Sequence, residues 1–339
     1  MVSTHHSSDA PASDSATKPP RVHVAIGPVC NNNCLFCMEE DRRGRREINA
    51  ALTPEHVRNV LVHHRGAEEV CFTSGEPTLV AGLPTYVAWA RELGYSRVSL
   101  STNGRRLAYK PYCAALVRAG LNLLYISIHG HSAKIHDGLT RTPGAFAQTM
   151  AGLQNVVALK NNALRVHTCT VVTKRNVLHF WEIFTRLRDE GADQVVFNVP
   201  QPNGRADTHF DRVVVRYEEV AVQFERFLER LEQGRPPVFL VDIPACVTER
   251  IPDFHRGWVE RYVHHEATSA LSQEPLTSRP TTVPGLVERR RSDYDHAWRW
   301  KRLECARCAR DEACPGVWSV YVKRFGWDEF QPIEQHHGR

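Results

Sequence analysis

From residue 21 onward, short runs rich in Val, Ile and Leu alternate with longer stretches of helical character, six times over. No other feature of the sequence constrains the fold so strongly. The strand-like runs are RVHVAIG (21–27), EEVCFTS (68–74), RVSLST (97–102), LNLLYISI (121–128), LRVHTCTVVT (164–173) and DQVVFNV (193–199). A helical stretch follows each: about 53–64, capped by Thr53 with Pro54 at its first position, then 83–93 ending at Gly94, 109–119 ending near Gly120, 143–160, 177–190 and 214–233. Repeated strand-then-helix units with short connections predict a parallel sheet with helices outside it. Strands this apolar are those covered on both faces.

The polar residues inside the strands fall in register. Ser99, Ser101 and Asn103 share one face of the third, Tyr125, Ser127 and His129 one face of the fourth, and Asn198 closes the sixth. An inner face that turns polar toward the strand ends predicts a barrel or half-barrel that holds a polar ligand there. The alternative is a filled barrel with a few hydrogen-bonded Ser and Asn. Beyond about residue 234 the pattern changes: PPVFLVDI (236–243) reads as one more strand, and 265–295, rich in Ser, Thr, Pro and Arg, as a loop or linker. Residues 1–20 are polar, lack the apolar stretch of a signal peptide, and read as a disordered tail.

Ten cysteines stand at 30, 34, 37, 71, 113, 169, 246, 305, 308 and 314. Without an export signal the expected compartment is the reducing cytoplasm, where clustered cysteines hold metal more often than they form disulfides. Cys30, Cys34 and Cys37 follow the first strand directly. Three thiolates so close can wrap three irons of a [4Fe–4S] cube and leave the fourth iron open. Zinc is the alternative, although no fourth Cys or His sits nearby. Cys246 and the close group Cys305, Cys308 and Cys314 fit a complete tetrathiolate site; structural zinc and free cysteines are the alternatives. The remaining three are spaced like single buried cysteines.

A net charge of +5 is too mild for a nucleic-acid binder, and no apolar run approaches the length of a membrane span. Neither partner is expected. The basic runs at Arg42, Arg43, Arg45 and Arg46 and at Arg289, Arg290 and Arg291 read as solvated surface, or as docking points for an acidic redox donor or substrate.

The C-x3-C-x2-C spacing, with Phe36 before the last cysteine and the first strand of a six-unit β/α chain before it, resembles the radical S-adenosylmethionine (radical SAM) superfamily over roughly residues 21–235. Thr73-Ser74-Gly75-Glu76-Pro77 resembles that family's Gly-Gly-Glu-Pro motif, with Ser74 at a usual glycine. Ser101-Thr102-Asn103-Gly104 resembles its Thr-Asn-Gly segment, and Ser127-Ile128-His129-Gly130 its Ser-Leu-Asp-Gly, with His129 where Asp is frequent. His136-Asp137 and Arg141 to Phe146 resemble the approach to the fourth helix in many members.

The resemblance implies an α/β fold: a partial (β/α)6 TIM-like barrel over 21–235, and a small C-terminal iron–sulfur extension of SPASM or twitch type over 236–339. It implies a [4Fe–4S] cluster on Cys30, Cys34 and Cys37, and S-adenosylmethionine bound by Ser74, Gly75, Glu76, Pro77, Ser101, Asn103 and Ser127. An auxiliary [4Fe–4S] cluster would sit on Cys246, Cys305, Cys308 and Cys314; four ligands suit a single-cluster, twitch-like form. The implied enzyme cleaves S-adenosylmethionine reductively to a 5′-deoxyadenosyl radical, which abstracts hydrogen from a substrate. A reductant such as flavodoxin or ferredoxin would supply the electron. The substrate would be a peptide or a small molecule, in peptide maturation or in cofactor or natural-product biosynthesis. From a different class, the chain reads as a non-catalytic iron–sulfur or zinc-binding redox or regulatory protein. No catalytic side chain is assigned.

Overall fold

A computed structural model describes residues 21–26, 29–38, 53–233, 235–249, 251, 270–271, 288–289, 299–312 and 314–334. The tail at 1–20, Arg42, Arg43, Arg45, Arg46, Arg290, Arg291 and most of the linker at 265–295 lie outside the described residues.

The Val- and Ile-rich runs form parallel strands: β1 Arg21–Ala25, β2 Glu69–Thr73, β3 Arg97–Thr102, β4 Leu123–Ser127, β5 Arg165–Val171, β6 Gln194–Asn198 and β7 Val238–Val241. Each pairs with the next in sequence order. The run at 236–243, expected to open the C-terminal part, therefore contributes a seventh strand, and the boundary expected after 235 falls inside this sheet. Among the described residues the sheet does not close on itself. Beyond β1 lie β8 (Ala270–Leu271), parallel to it, and β9 (Glu288–Arg289), antiparallel to β8.

Helices cover the outer face: α1 Pro54–His63, α2 Leu83–Glu92, α3 Lys110–Ala119, α4 Ala133–Thr140, α5 Ala145–Ala158 and α6 Phe180–Asp189, followed by the short α7 Arg205–Thr208 and α8 Phe210–Val213, and then α9 Tyr217–Leu228. The Thr53 side chain caps α1, accepting from the His56 N–H at 3.2 Å. Gly120 ends α3 in the left-handed region at φ 112°, where a side chain is disfavoured. The outward strand residues are buried and mostly apolar, with Thr102, Thr168 and Thr170 among them, and the sixth strand meets its helices through aromatic edges: Phe180 and Phe197 lie 4.7 Å apart, near perpendicular. The sequence pattern predicts one helix at 143–160, but α4 precedes it. With no side-chain cap on α4 and Gly138 inside it, the sequence marks its start and course weakly.

The C-terminal segment adds a two-stranded ribbon, β10 Arg299–Trp300 against β11 Val317–Trp318, and α10 Ser319–Phe325. It docks on α9. The Tyr321 ring stacks on Tyr217 at 4.1 Å, and its hydroxyl accepts from the Tyr217 N–H at 2.8 Å and donates to Glu329 at 2.8 Å. Arg216 closes on the same carboxylate at 2.9 Å. Among the described residues no helix is long and apolar enough to cross a membrane.

Candidate functional site

Alternation along the strands divides the sheet as its polar pattern requires. In β1, β4 and β5 the outward residues are buried, whereas His23, Tyr125, Ser127, His167 and Cys169 on the inner face are half-buried. Ser101, Gln194 and Asn198 continue that face. The filled-barrel alternative would leave no such difference. At the floor, Arg21 pairs with Glu69 at 3.0 Å and donates to the Tyr125 hydroxyl, while Tyr125 and Ser99 donate to Glu69 at 3.2 and 2.6 Å. His23 Nε2, His167 Nδ1 and Asn198 Oδ1 are buried and have no hydrogen-bond partner among the described residues. Burial, with the Arg21 charge, lowers His23 to about 4. His167 is also lowered to about 4, first by burial.

At the C-terminal end of the sheet the first cysteine group forms a loop after β1. Its backbone is tied to the end of α4: the Asn33 and Leu35 N–H groups donate to the carbonyls of Thr140 and Leu139 at 2.9 and 3.0 Å. From beneath, Asn103 Nδ2 donates to Asn31 Oδ1 at 2.6 Å, and Arg105 donates to the Asn31 carbonyl and to Asn32 Oδ1. The Asn32 N–H and Asn103 Nδ2 approach Cys30 Sγ at 3.4 and 3.8 Å. Burial first, and then like charge from the neighbouring cysteines, raises the Cys34 thiol well above its ordinary value; burial likewise raises Cys30. Three half-buried thiols, of which Cys30 and Cys34 resist ionisation alone, with N–H groups aimed at one of the sulfurs, suit a cationic iron–sulfur centre. The residues therefore fit the cluster expected there.

The strand-end residues gather beneath this loop. Ser74 and Gly75 stand at φ 74° and 51°, both left-handed, which explains why glycine serves well at the position Ser74 occupies. Glu76 is wholly buried, and its carboxylate faces the protein: Oε1 accepts from the Thr78 N–H and hydroxyl at 3.1 and 2.6 Å and from the Thr102 hydroxyl at 2.6 Å, and Oε2 accepts from the Asn103 N–H at 2.7 Å. Burial pushes this carboxyl up, against those hydrogen bonds. Glu76 thus ties the ends of β2 and β3 together, and Asn103 carries that tie on to the cysteine loop. Pro77 opens a short 3₁₀ turn, and Ser101 and Ser127 remain on the inner face.

His129, at a frequent Asp position, is buried; its Nδ1 accepts from the Val171 N–H at 3.2 Å, and its own N–H donates to His136 Nδ1 at 3.1 Å. Both imidazoles are depressed by burial, His136 to about 4. They act as neutral acceptors: His129 joins the ends of β4 and β5, the bland role a polar strand-end residue can take, and His136 ties α4 to the end of β4. Arg141 sits at φ 51° and is exposed. The sequence reading missed Arg105 and Arg205. The one signal for each is local: Arg105 follows the Thr-Asn-Gly segment, and Arg205 follows Gly204 after β6.

The second cysteine group also assembles. Cys246, Cys305, Cys308 and Cys314 line one cleft with Trp300, Trp327 and Phe330. Burial, reinforced by the other three cysteines, pushes Cys246 up to about 12. The N–H groups of Arg310 and Ile333 approach Cys308 Sγ at 3.5 and 3.4 Å, and the Gly316 N–H approaches Cys314 Sγ at 3.4 Å.

Residues 24–187 match the model of the radical SAM superfamily. The AdoMet-dependent heme synthase of Oleidesulfovibrio alaskensis is 33% identical over 160 residues, which are 47% of this chain and 40% of that protein. A "Probable GTP 3′,8-cyclase" of Saccharolobus islandicus is 28% identical over 179 residues, 51% of this chain and 54% of that one. The chain thus spans about half the length of the curated relatives it matches. Among solved structures, Streptococcus suis SuiB bound to S-adenosylmethionine superposes with a TM-score of 0.63, covering 94% of this chain and 76% of that one at 12% identity. SuiB bound to its precursor peptide SuiA superposes with a TM-score of 0.64, covering 94% and 75%, also at 12% identity. At that identity the likeness is one of fold.

Proposed function

We propose that this chain, whose residues 24–187 form a radical SAM domain with that superfamily's two cofactors, a [4Fe–4S] cluster and S-adenosylmethionine, abstracts hydrogen from a substrate lying on the inner face of the sheet. The observation that carries the reading is the convergence of the Cys30, Cys34 and Cys37 loop with the ends of β2 and β3, through Asn103, at the mouth of a polar inner face. When bound, the cofactors supply one-electron cleavage of the sulfonium and a 5′-deoxyadenosyl radical. The chain's own residues do the rest. Cys30, Cys34 and Cys37 hold the cluster, and Ser74 to Pro77, Ser101, Asn103 and Ser127 shape the seat for S-adenosylmethionine.

The inner face suits a substrate held by hydrogen bonds. His23, His167 and Asn198 offer buried, unpartnered polar atoms, and the charged pair at the floor, Arg21 and Glu69, neutralises itself. A peptide segment or an uncharged part of a small metabolite fits that surface. A low-potential donor such as flavodoxin or ferredoxin would supply the electron.

For the second group, the reading is an auxiliary [4Fe–4S] cluster in a twitch-like extension. Support comes from four thiols in one cleft, with backbone N–H groups directed at two of them, as thiolate-bound clusters are commonly surrounded.

The test is anaerobic reconstitution. The protein should bind about eight irons and release 5′-deoxyadenosine from S-adenosylmethionine under dithionite. Replacing Cys30, Cys34 and Cys37 together by Ala should abolish the release and leave about four irons. Release that persists in the triple variant would refute the cluster assignment. Iron binding without any release in the wild type would favour a non-catalytic redox protein.

A further inference from the structure

The first cysteine loop is gripped from a second side, by the segment that follows β6. The chain turns at Gly204, φ +54°, where a Cβ would stand 2.4 Å from the Met38 carbonyl oxygen and 2.9 Å from that of Cys37. Only glycine lets α7 approach so closely. The next residue, Arg205, donates its backbone N–H to the Cys37 carbonyl at 2.9 Å. Its guanidinium donates to Asn33 Oδ1. Arg205 is thereby fixed at both ends of the stretch containing Cys34, which places its charge beside the cysteine loop.

Three thiolates concentrate negative charge in this loop, and a partly buried site screens it poorly. One-electron reduction of the cluster adds one more unit of negative charge. A fixed guanidinium lowers the cost of that added charge more than it stabilises the oxidised state, so it raises the potential of the couple. Arg105 holds the opposite flank, but its contacts run to Asn31 and Asn32, away from Cys34.

We propose that Arg205 is a positioning residue that seats the first cysteine loop and whose charge eases one-electron reduction of the cluster there. The proposal rests on the iron–sulfur reading of Cys30, Cys34 and Cys37. The electron comes from a low-potential one-electron donor, which is oxidised as the cluster goes from its 2+ to its 1+ state; no bond breaks.

The test uses full-length, anaerobically reconstituted protein poised at a series of potentials with dithionite and mediators. The reduced first cluster is read by electron paramagnetic resonance and identified by the change in its signal on adding S-adenosylmethionine. Because the signal counts loaded sites only, partial loading of a variant does not alter the potential read. At the potential where the wild type is half reduced, the reduced-to-oxidised ratio should fall roughly three- to tenfold in Arg205→Gln. In Arg205→Lys, which keeps the charge, and in Asn33→Ala, which loses only the anchor, it should stay within about twofold. An unchanged ratio in Arg205→Gln overturns the proposal, and an equal shift in Arg205→Lys assigns the effect to loop shape and also overturns it. If Arg205→Gln gives no signal at all, a full signal in Arg205→Lys supports the role of charge, and loss in both overturns it. Absence of a SAM-sensitive signal in the wild type would instead defeat the iron–sulfur reading itself.

Discussion

At the scale of single residues, Glu76 shows how one side chain can organise a site it does not face. Its carboxylate accepts four hydrogen bonds, three at Oε1 and one at Oε2. Glu76→Gln keeps the shape but must aim an NH2 group at one set of donors. The better choice leaves that group facing the Asn103 N–H, with the amide oxygen at Oε1. The cost of such a buried donor–donor contact is about 1–3 kcal/mol. Because Asn103 also holds Asn31, the variant should melt earlier and bind S-adenosylmethionine more weakly, while keeping its iron. An unaltered melting temperature together with unaltered affinity, by calorimetry, would remove Glu76 from this role.

At the scale of elements, the third strand end and α5 are locked by a close approach. Gly152 faces Gly104, where a Cβ on residue 152 would lie 2.1 Å from the Gly104 carbonyl oxygen. Thr149 on the same helix donates to the Asn103 carbonyl at 2.8 Å. Gly152→Ala gains roughly 1 kcal/mol of helix propensity. It must also displace backbone in a packed layer, which costs roughly 1–3 kcal/mol or more. The clash wins: the variant should lose stability in urea titration and shift the Asn103 loop, weakening S-adenosylmethionine binding. A stabilised Gly152→Ala would show that α5 can move away freely and that this contact does not set the strand end.

At the scale of the whole molecule, the interior carries imidazoles that are neutral when folded. His23, His136 and His167 are depressed from 6.5 to about 4, and His129 is depressed as well. Above the unfolded value of 6.5 these rings are neutral in both states and contribute no pH dependence. Below it the unfolded chain takes up protons that the folded chain refuses until about 4, so stability falls with pH across that window. Each group contributes up to about 1.4 kcal/mol per pH unit. Several together are large beside a net stability of about 5–15 kcal/mol. The urea midpoint should therefore drop clearly between about pH 7.5 and 5.5. Equal midpoints would mean that these rings protonate in place.

The sequence alone determined the α/β class, the order of the first six strands, the polar inner face and the two cysteine groups. These are local properties: strand period, Val and Ile content, and ligand spacing are written along the chain, and sequential β/α units pair in order. Tertiary structure decided what depends on contact between distant segments. It made 238–241 a seventh strand of the same sheet, because an apolar run does not say which edge it joins. It brought Cys246 to Cys305, Cys308 and Cys314, and docked the C-terminal helix through Tyr321, Glu329 and Arg216. It turned Glu76 inward onto Thr102 and Asn103, and set Arg205 against Asn33 across 172 positions of sequence. A lone arginine in a loop has no period and no spacing to mark it; only the folded chain shows which charge it meets.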